Sequence, residues 1–315
     1  MTSVVCWKVI EDRQESIWIV SDSKISRSNQ NSSISFIHDL CPKIFNIPLR
    51  VCSDSRTQMN YEYGSIAFAF SGSTLIANIT KDIFSFLLSS FKEIPQGFDA
   101  SERDLVREIS IQNHMFTEIK VAEFLKKTPS MAEISTILVS VLNDVLQSYG
   151  TSTGNLETGV EIVISGYCHR IKNFESYIVK FTPNDTKITC TLHDFINKEY
   201  LIIGDRKDEI ETQIENFKEN IDSDLLKRRA PLYTLAQVID DHNYLTIGGY
   251  LQLVRCTKFG CKVMALMRED STATYIGYKL NNFTNNQMVI PSYGNFALSP
   301  SIMVYPNESD AMTYR

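Results

Sequence analysis

The sequence is poor in the features that fix a class early. No window approaches the roughly 20 apolar residues a membrane-crossing helix needs. No basic segment followed by a long apolar run stands at the start, so no secretory leader is expected. Neither G-x-x-x-x-G-K-S/T nor G-x-G-x-x-G occurs, which removes the common phosphate-binding loops. The formal net charge is −6 over 315 residues, so there is no general attraction for nucleic acid or an anionic membrane. The five histidines, His38, His114, His169, His193 and His242, are scattered and unpaired with acidic ligand motifs, so neither a metal nor another cofactor is expected. The seven cysteines are odd in number, include no C-x-x-C pair and sit mostly in apolar runs. Cysteines used in that way suit a reducing, cytoplasmic setting.

What is present is ordinary globular material, 43% hydrophobic and 22% charged. "SVVCWKVI" and "SIWIVSDS" are β-branched and aromatic runs around the polar "EDRQE", a hairpin signal. "SRSNQNSSIS" reads as a loop, and "KIFNIPLRV" and "GSIAFAFSG" as two more strands with the polar "CSDSRTQMNYEY" between them. Leu75, Ile76, Ile79, Ile83, Phe84, Leu87 and Leu88 then recur at helical spacing. The stretch from Lys92 to Ser130 is polar and irregular, with short helices expected near Glu102–Ile111 and Thr117–Lys126, and reads as a surface insertion. Ser130 and Glu133 have capping-box spacing at the head of a second helix with one apolar stripe.

Strands follow in "GVEIVISGYC", "ESYIVKFTP", "KITCTLHD" and "EYLIIG". Two helices come next, marked by Ile210, Ile214, Phe217 and Ile221 and by Leu232, Leu235, Val238 and Ile239. "GGYLQLVRC" and "CKVMALMRE" close the pattern as a hairpin, and Lys227, Arg228 and Arg229 read as a solvated basic patch. The order strands, helices, strands, helices, strands indicates α+β rather than the alternation of a parallel doubly wound sheet. The expected division is one domain over 1–280, with an insertion at about 92–130, and a C-terminal extension over 281–315 without firm structure.

Four ordered motifs carry a family resemblance. Thr2 heads the strand "TSVVCWKV", the next strand ends "WIVSDSKIS", "CPKIFNI" places a lysine before a strand, and "IAFAFSGSTLIANI" runs strand, Gly turn, helix. Over roughly the first ninety residues this resembles the proteasome β subunits and their bacterial relatives, which are N-terminal-nucleophile hydrolases. The resemblance implies a four-layer αββα sandwich, two antiparallel sheets between helical layers. It also implies a threonine peptidase that cuts peptide bonds through an acyl-enzyme.

The chemistry has its own logic. A threonine that leads its chain carries a hydroxyl and an α-amine with an unperturbed pKa of about 7.7–8.0, so nucleophile and base share one residue. Removal of Met1 is required to expose it. By resemblance, Lys43 supplies positive charge beside Thr2, Asp22 orients Lys43, and the backbone N–H of Gly72 faces the developing oxyanion. Asp205 stands where the family has a serine that touches the amine. Tyr244 and Ile247 fall where it has an Asp and a Ser, and Asp241 or Thr246 are the residues that could compensate.

The positions matching the family's specificity pocket are Ile25, Cys41, Phe45, Phe70 and Thr74, an apolar lining that implies a small or medium apolar residue on the acyl side of the cut. The partners implied are a peptide or unfolded protein substrate, a ring-like homo-oligomer of the chain itself and an unfoldase. A catalytically silent scaffold subunit and an amidase for small molecules are the alternative readings.

Overall fold

The computed structural model describes residues 2–11, 13–28, 34–52, 60–92, 125–153, 159–183, 187–268, 273–280, 292–293, 296–297 and 300–304. The chain begins with the expected hairpin, β1 (Ser3–Glu11) and β2 (Gln14–Ser21), paired antiparallel from Val4↔Ser21 to Glu11↔Gln14. A short arm follows, β3 (Ile25–Ser28) with β4 (Ile34–His38). Its ends lie inside the serine- and asparagine-rich stretch expected to be loop; pairing with each other supplies the strand hydrogen bonds that local propensity did not announce.

Next come β5 (Ile44–Cys52), β6 (Asn60–Gly72), helix α1 (Thr74–Leu88) and helix α2 (Met131–Thr153). Then β7 (Val160–Cys168), β8 (Asn173–Phe181), β9 (Thr189–Leu192) and β10 (Tyr200–Gly204) precede α3 (Lys207–Glu219), α4 (Asp224–Arg228) and α5 (Ala230–Asp240). The chain continues through β11 (Gln252–Thr257), β12 (Gly260–Met267), β13 (Ala273–Tyr275), β14 (Tyr278–Lys279), β15 (Ser292–Tyr293), β16 (Phe296–Ala297) and β17 (Ser301–Val304).

One sheet runs β10-β1-β2-β11-β12-β13-β14, with β17 also on β12, and a second runs β5-β6-β7-β8-β9. The architecture is mixed α and β with several antiparallel sheets. Two details differ from the expectation: β17 pairs with β12 in parallel, and β15 and β16 pair as a separate ribbon. The tail, expected to be without firm structure, therefore adds an edge to the larger sheet. Its register, Ala265↔Ile302 and Leu266↔Met303, places a short apolar segment against a long apolar strand.

Burial falls into three clusters. Phe68, Phe70 and Ile164 of the five-stranded sheet pack with Phe84 and Leu88 of α1 and Leu138 and Leu142 of α2. Trp7, Trp18 and Leu253 of the larger sheet pack with Ile210 and Ile214 of α3 and Leu232 and Leu235 of α5. Between them lie Val4, Cys6, Ile17 and Ile19 with Ala67, Ala69 and Val163, contributed by both sheets. Strand periodicity explains this: on β1, residues 5, 7 and 9 join the helix-side cluster while 4 and 6 join the other.

Burial pushes the Cys6 thiol up to about 12, so it behaves there as an apolar group despite its contacts with Ser165 and Ser176. The capping box forms as expected: Ser130 N–H donates to Glu133 Oε2 at 2.8 Å and Glu133 N–H donates to Ser130 Oγ at 3.3 Å.

Helix α1 is apolar on more than one face. Ile76, Phe84 and Leu88 are buried, whereas Leu75, Ile79, Ile83, Phe86 and Leu87 are exposed. The basic patch is only in part a solvated surface, because Arg229 forks onto Glu11 with bonds of 2.7 and 2.9 Å and lies over Trp18. The helix expected near Glu102–Ile111 lies outside the described residues; of that near Thr117–Lys126, only 125 and 126 are described, in a helical turn.

Candidate active site

Asp22 follows the last residue of β2, and Lys43 directly precedes β5. Both are buried, and they meet Thr2, also buried, at the head of β1. Lys43 Nζ donates to Asp22 Oδ1 at 3.1 Å, to the Lys24 carbonyl at 2.5 Å and to Thr2 Oγ1. An ammonium has three hydrogens, and here each has an acceptor.

Asp22 is equally complete. Oδ1 accepts from Ser3 N–H and Lys43, and Oδ2 accepts from Lys24 N–H at 3.1 Å and Gly248 N–H at 3.2 Å. Burial is the largest influence on both groups. It pushes the Asp22 carboxyl above the ordinary carboxylate range and pulls Lys43 below the ordinary lysine value, each opposed by the charge of the other. The filled donor and acceptor sets are those of an ion pair, the arrangement that makes two buried charges tolerable.

Thr2 is held further through its carbonyl, which accepts two hydrogen bonds. The Asp205 N–H donates to it at 2.8 Å and Ser71 Oγ at 3.3 Å. Gly204, at φ +100°, ends β10 beside it, and a Cβ there would run into the Thr2 carbonyl. The ladder ends at the pair Ser3↔Gly204, and the Asp205 N–H bond to the Thr2 carbonyl continues it by one residue on each strand. Asp205 Oδ2 accepts from the buried Thr246 hydroxyl, and Ser3 Oγ donates to the Asp205 carbonyl at 2.7 Å.

Tyr244 and Ile247 do not enter this cluster. Ile247 is buried in the helix-side core, and the Tyr244 hydroxyl accepts from Gln213 at 3.1 Å. The loop reaches the site instead through Thr246 and the Gly248 N–H. Asp241 follows the end of α5, where its N–H donates to the Gln237 carbonyl.

Gly72 closes β6 opposite Val160 with φ +95°, and a Cβ on it would strike the Gly159 carbonyl, so only glycine fits the turn. It stands beside Ser71, which touches Thr2.

The five candidate pocket residues do not share one environment. Phe70 is fully buried against the helices, and Phe45 stacks on it at 6.4 Å with rings 7° apart. Cys41 is buried, which pushes its thiol up, while Ile25 and Thr74 are half-buried at the head of β3 and of α1. The group is also not free of charge: Lys81 Nζ lies 4.2 Å from the centre of the Phe45 ring.

Several supporting residues escaped the sequence reading. Gln252, buried, accepts from Lys43 N–H at 2.9 Å and donates to the carbonyls of Cys41 and Asp22 at 2.7 and 3.4 Å, tying three strand ends together. A lone amide in the apolar run "YLQLV" was the available signal. Glu161 at the start of β7 accepts from Gly204 N–H at 2.7 Å and from Lys207 at 2.7 Å, with Lys180 3.3 Å away. Burial pushes its carboxyl up, but Lys207, the Gly204 N–H and Lys180 together hold it below the ordinary range. Among the described residues no group of three His, Cys, Asp or Glu side chains converges as a metal site would need.

No family model matches the sequence, and no curated protein matches it. Among solved structures the chain is similar to Anbu (ancestral beta-subunit) from Yersinia bercovieri, at 11% identity over 80% of this chain and 81% of that one, with a TM-score of 0.43. It is likewise similar to Anbu from Hyphomicrobium sp. strain MC1, at 11% identity over 87% of each chain and a TM-score of 0.43. These are proteasome-like proteins of a distinct family, so the assignment to proteasome β subunits suggested by the opening motifs is corrected. Each of those motifs is a short strand-to-turn solution that a wider set of chains can share. A likeness of this degree carries no argument about chemistry, which rests on the geometry.

Proposed function

We propose that the protein is an N-terminal-nucleophile hydrolase that cleaves amide bonds through Thr2 once Met1 is removed. The observation that carries the reading is the buried contact of Lys43 Nζ with Thr2 Oγ1 on one side and Asp22 on the other. An ammonium whose three hydrogens are committed has no lone pair with which to take the hydroxyl proton. The base is therefore the α-amine that loss of Met1 exposes on the same residue.

The steps balance. The α-amine takes the Oγ1 proton, Oγ1 bonds to the substrate carbonyl carbon, and the former carbonyl oxygen carries the negative charge, for which the Gly72 N–H is the proposed donor. The C–N bond then breaks, the leaving nitrogen receives the proton, and the acyl group stays on Thr2 as an ester. Water then adds to that ester as the same amine takes its proton, the bond between Oγ1 and the acyl carbon breaks, and Oγ1 takes the proton back from the amine as the acid leaves. Lys43 stabilises the oxygen of Thr2 as its proton departs, in a site screened from water. Asp205, bonded to the Thr2 carbonyl through its N–H and fixed by Thr246, is the proposed residue that orients the amine.

The three clusters of burial support a four-layer αββα arrangement for this scaffold. A peptide substrate with an apolar residue before the cut, a cytoplasmic setting, an unfoldase partner and a homo-oligomer complete the proposal. The exposed apolar residues of α1 are the kind of surface that an interface between copies would cover.

The test combines intact mass with a threonine-directed epoxyketone, which needs both the amine and the hydroxyl. The expected result is a chain lacking Met1 that gains one adduct on Thr2, with labelling and peptide hydrolysis abolished in Thr2→Ala. A chain that retains Met1, or one that lacks it and takes no adduct, overturns the reading in favour of a silent scaffold. Labelling with hydrolysis of small amides but not of peptides would make it an amidase.

A further inference from the structure

On the helix side of the larger sheet, far along β2 from Asp22, lies a cavity of about 190 Å³ lined by Glu11, Trp18, Arg229, Arg255, Met264 and Met303, among others. Its charges do not balance. Glu11 is spent on Arg229 through a two-bond fork. Arg255 is the direct partner of Trp18 on one side and of Lys262 on the other, so the three side chains share a face. Two cations directly opposite one another on a sheet repel.

Among the described residues no carboxylate pairs with Arg255 or Lys262, and Arg255 Nε is buried with no acceptor. Two guanidinium groups lie near the indole of Trp18, that of Arg229 at 5.4 Å and that of Arg255 at 5.8 Å. The cavity thus presents an unfilled planar fork and an aromatic wall, and Lys262, directly opposite Arg255 on the neighbouring strand, is the cation next to it. Since one water occupies about 30 Å³ of liquid, it has room for an ion of several heavy atoms.

We propose that this cavity binds a small oxyanion, a carboxylate or a phosphate, through the guanidinium of Arg255 and the ammonium of Lys262, with Trp18 as its wall. The ligand supplies the negative charge that the protein leaves out and the acceptor that Arg255 lacks. Arginine suits the task because its donors match two oxygens at once. The site is separate from Thr2 and does not depend on hydrolase activity.

The test is calorimetric titration of the full chain with inorganic phosphate and, separately, with succinate, alongside Trp18 fluorescence. Saturable binding of at least one is expected, weakened roughly ten- to a hundredfold by Arg255→Leu and less by Lys262→Ala. Tighter phosphate binding identifies a phosphate ester as the source, and tighter succinate binding a carboxylate. The fluorescence response is expected to vanish in Trp18→Phe, which leaves only Trp7.

Absence of saturation by either anion at roughly 10 mM, weaker than any specific site, overturns the proposal, as does unchanged affinity in Arg255→Leu. If Arg255→Leu does not fold, Arg255→Lys decides: it keeps the charge but loses the fork, so weakened binding supports the site and unchanged binding refutes it.

Discussion

The chain places charge in two contrasting ways. At the head of β1, Lys43 and Asp22 are buried and between them leave no hydrogen or lone-pair direction without a partner. Across the sheet, Arg255 and Lys262 face each other with no carboxylate among the described residues, and one donor of Arg255 is buried and unmet. The first arrangement is closed: its donors and acceptors are met from within the chain, and the Thr2 hydroxyl is part of it. The second is open, and its imbalance is what a ligand would correct. Burial alone does not mark a functional charge; whether its partners are all internal decides what kind of function it serves.

The largest expected effect attacks the closed cluster. Asp22→Ala leaves a buried ammonium without its counter-charge, and breaking such a pair costs about 3–5 kcal/mol. The double variant Asp22→Leu with Lys43→Met removes both charges and should recover most of that loss in urea unfolding while remaining inactive. If Asp22→Ala costs less than about 1 kcal/mol, the value of an exposed pair, the cluster is not closed and the contrast fails.

Glu161 sharpens the same point at its edge. Its carboxyl is held below the ordinary range by two lysines and the N–H of Gly204, the residue that lets β10 approach Thr2. The unfolded chain therefore binds the proton more readily. The stabilisation is complete above an unfolded value of about 4.3 and is lost as pH falls through the lower folded value. Glu161→Gln should lower stability at pH 7 by about 1–2 kcal/mol, since charge-assisted bonds to a carboxylate are lost. The gap to the native chain should narrow as pH falls below about 4. Melting temperatures from pH 3 to pH 7 check this; a gap independent of pH would mean the carboxylate's charge plays no part.

The sequence disclosed the closed cluster unevenly. Thr2, Asp22 and Lys43 were legible because each sits at a strand end within one of the ordered motifs that carry the family resemblance, and the hairpin β1–β2 follows from two β-branched and aromatic runs around a polar stretch. Thr246 was legible only as one of two residues that could compensate, and Gln252 was not legible at all, since it lies more than two hundred residues from the groups it serves and its use depends on register between strands, which no local pattern encodes. Tyr244 and Ile247 mark where the resemblance departs, and Thr246 rather than Asp241 reaches the cluster, because alignment on Gly248-Gly249 fixes a position along the loop but not which side chain turns inward. Helical spacing disclosed α1 but not its surroundings: Leu75, Ile79, Ile83, Phe86 and Leu87 remain exposed in the single chain.

The smallest effect probes the open cluster directly. Lys262 is exposed and stands opposite Arg255 in the β11–β12 ladder. Lys262→Glu replaces a repelling cross-strand pair with an attracting one, a change worth about 0.2–1 kcal/mol. In a protein of this size that is a rise of roughly 1–3 °C in melting temperature at low ionic strength, shrinking as salt screens the exposed partner. The same substitution puts a carboxylate where the proposed anion would sit, so stabilisation and loss of anion binding should appear together. A melting temperature that falls instead would mean that Lys262 already has a counter-charge in the folded protein, and the second half of the contrast would have to be given up while the first stood.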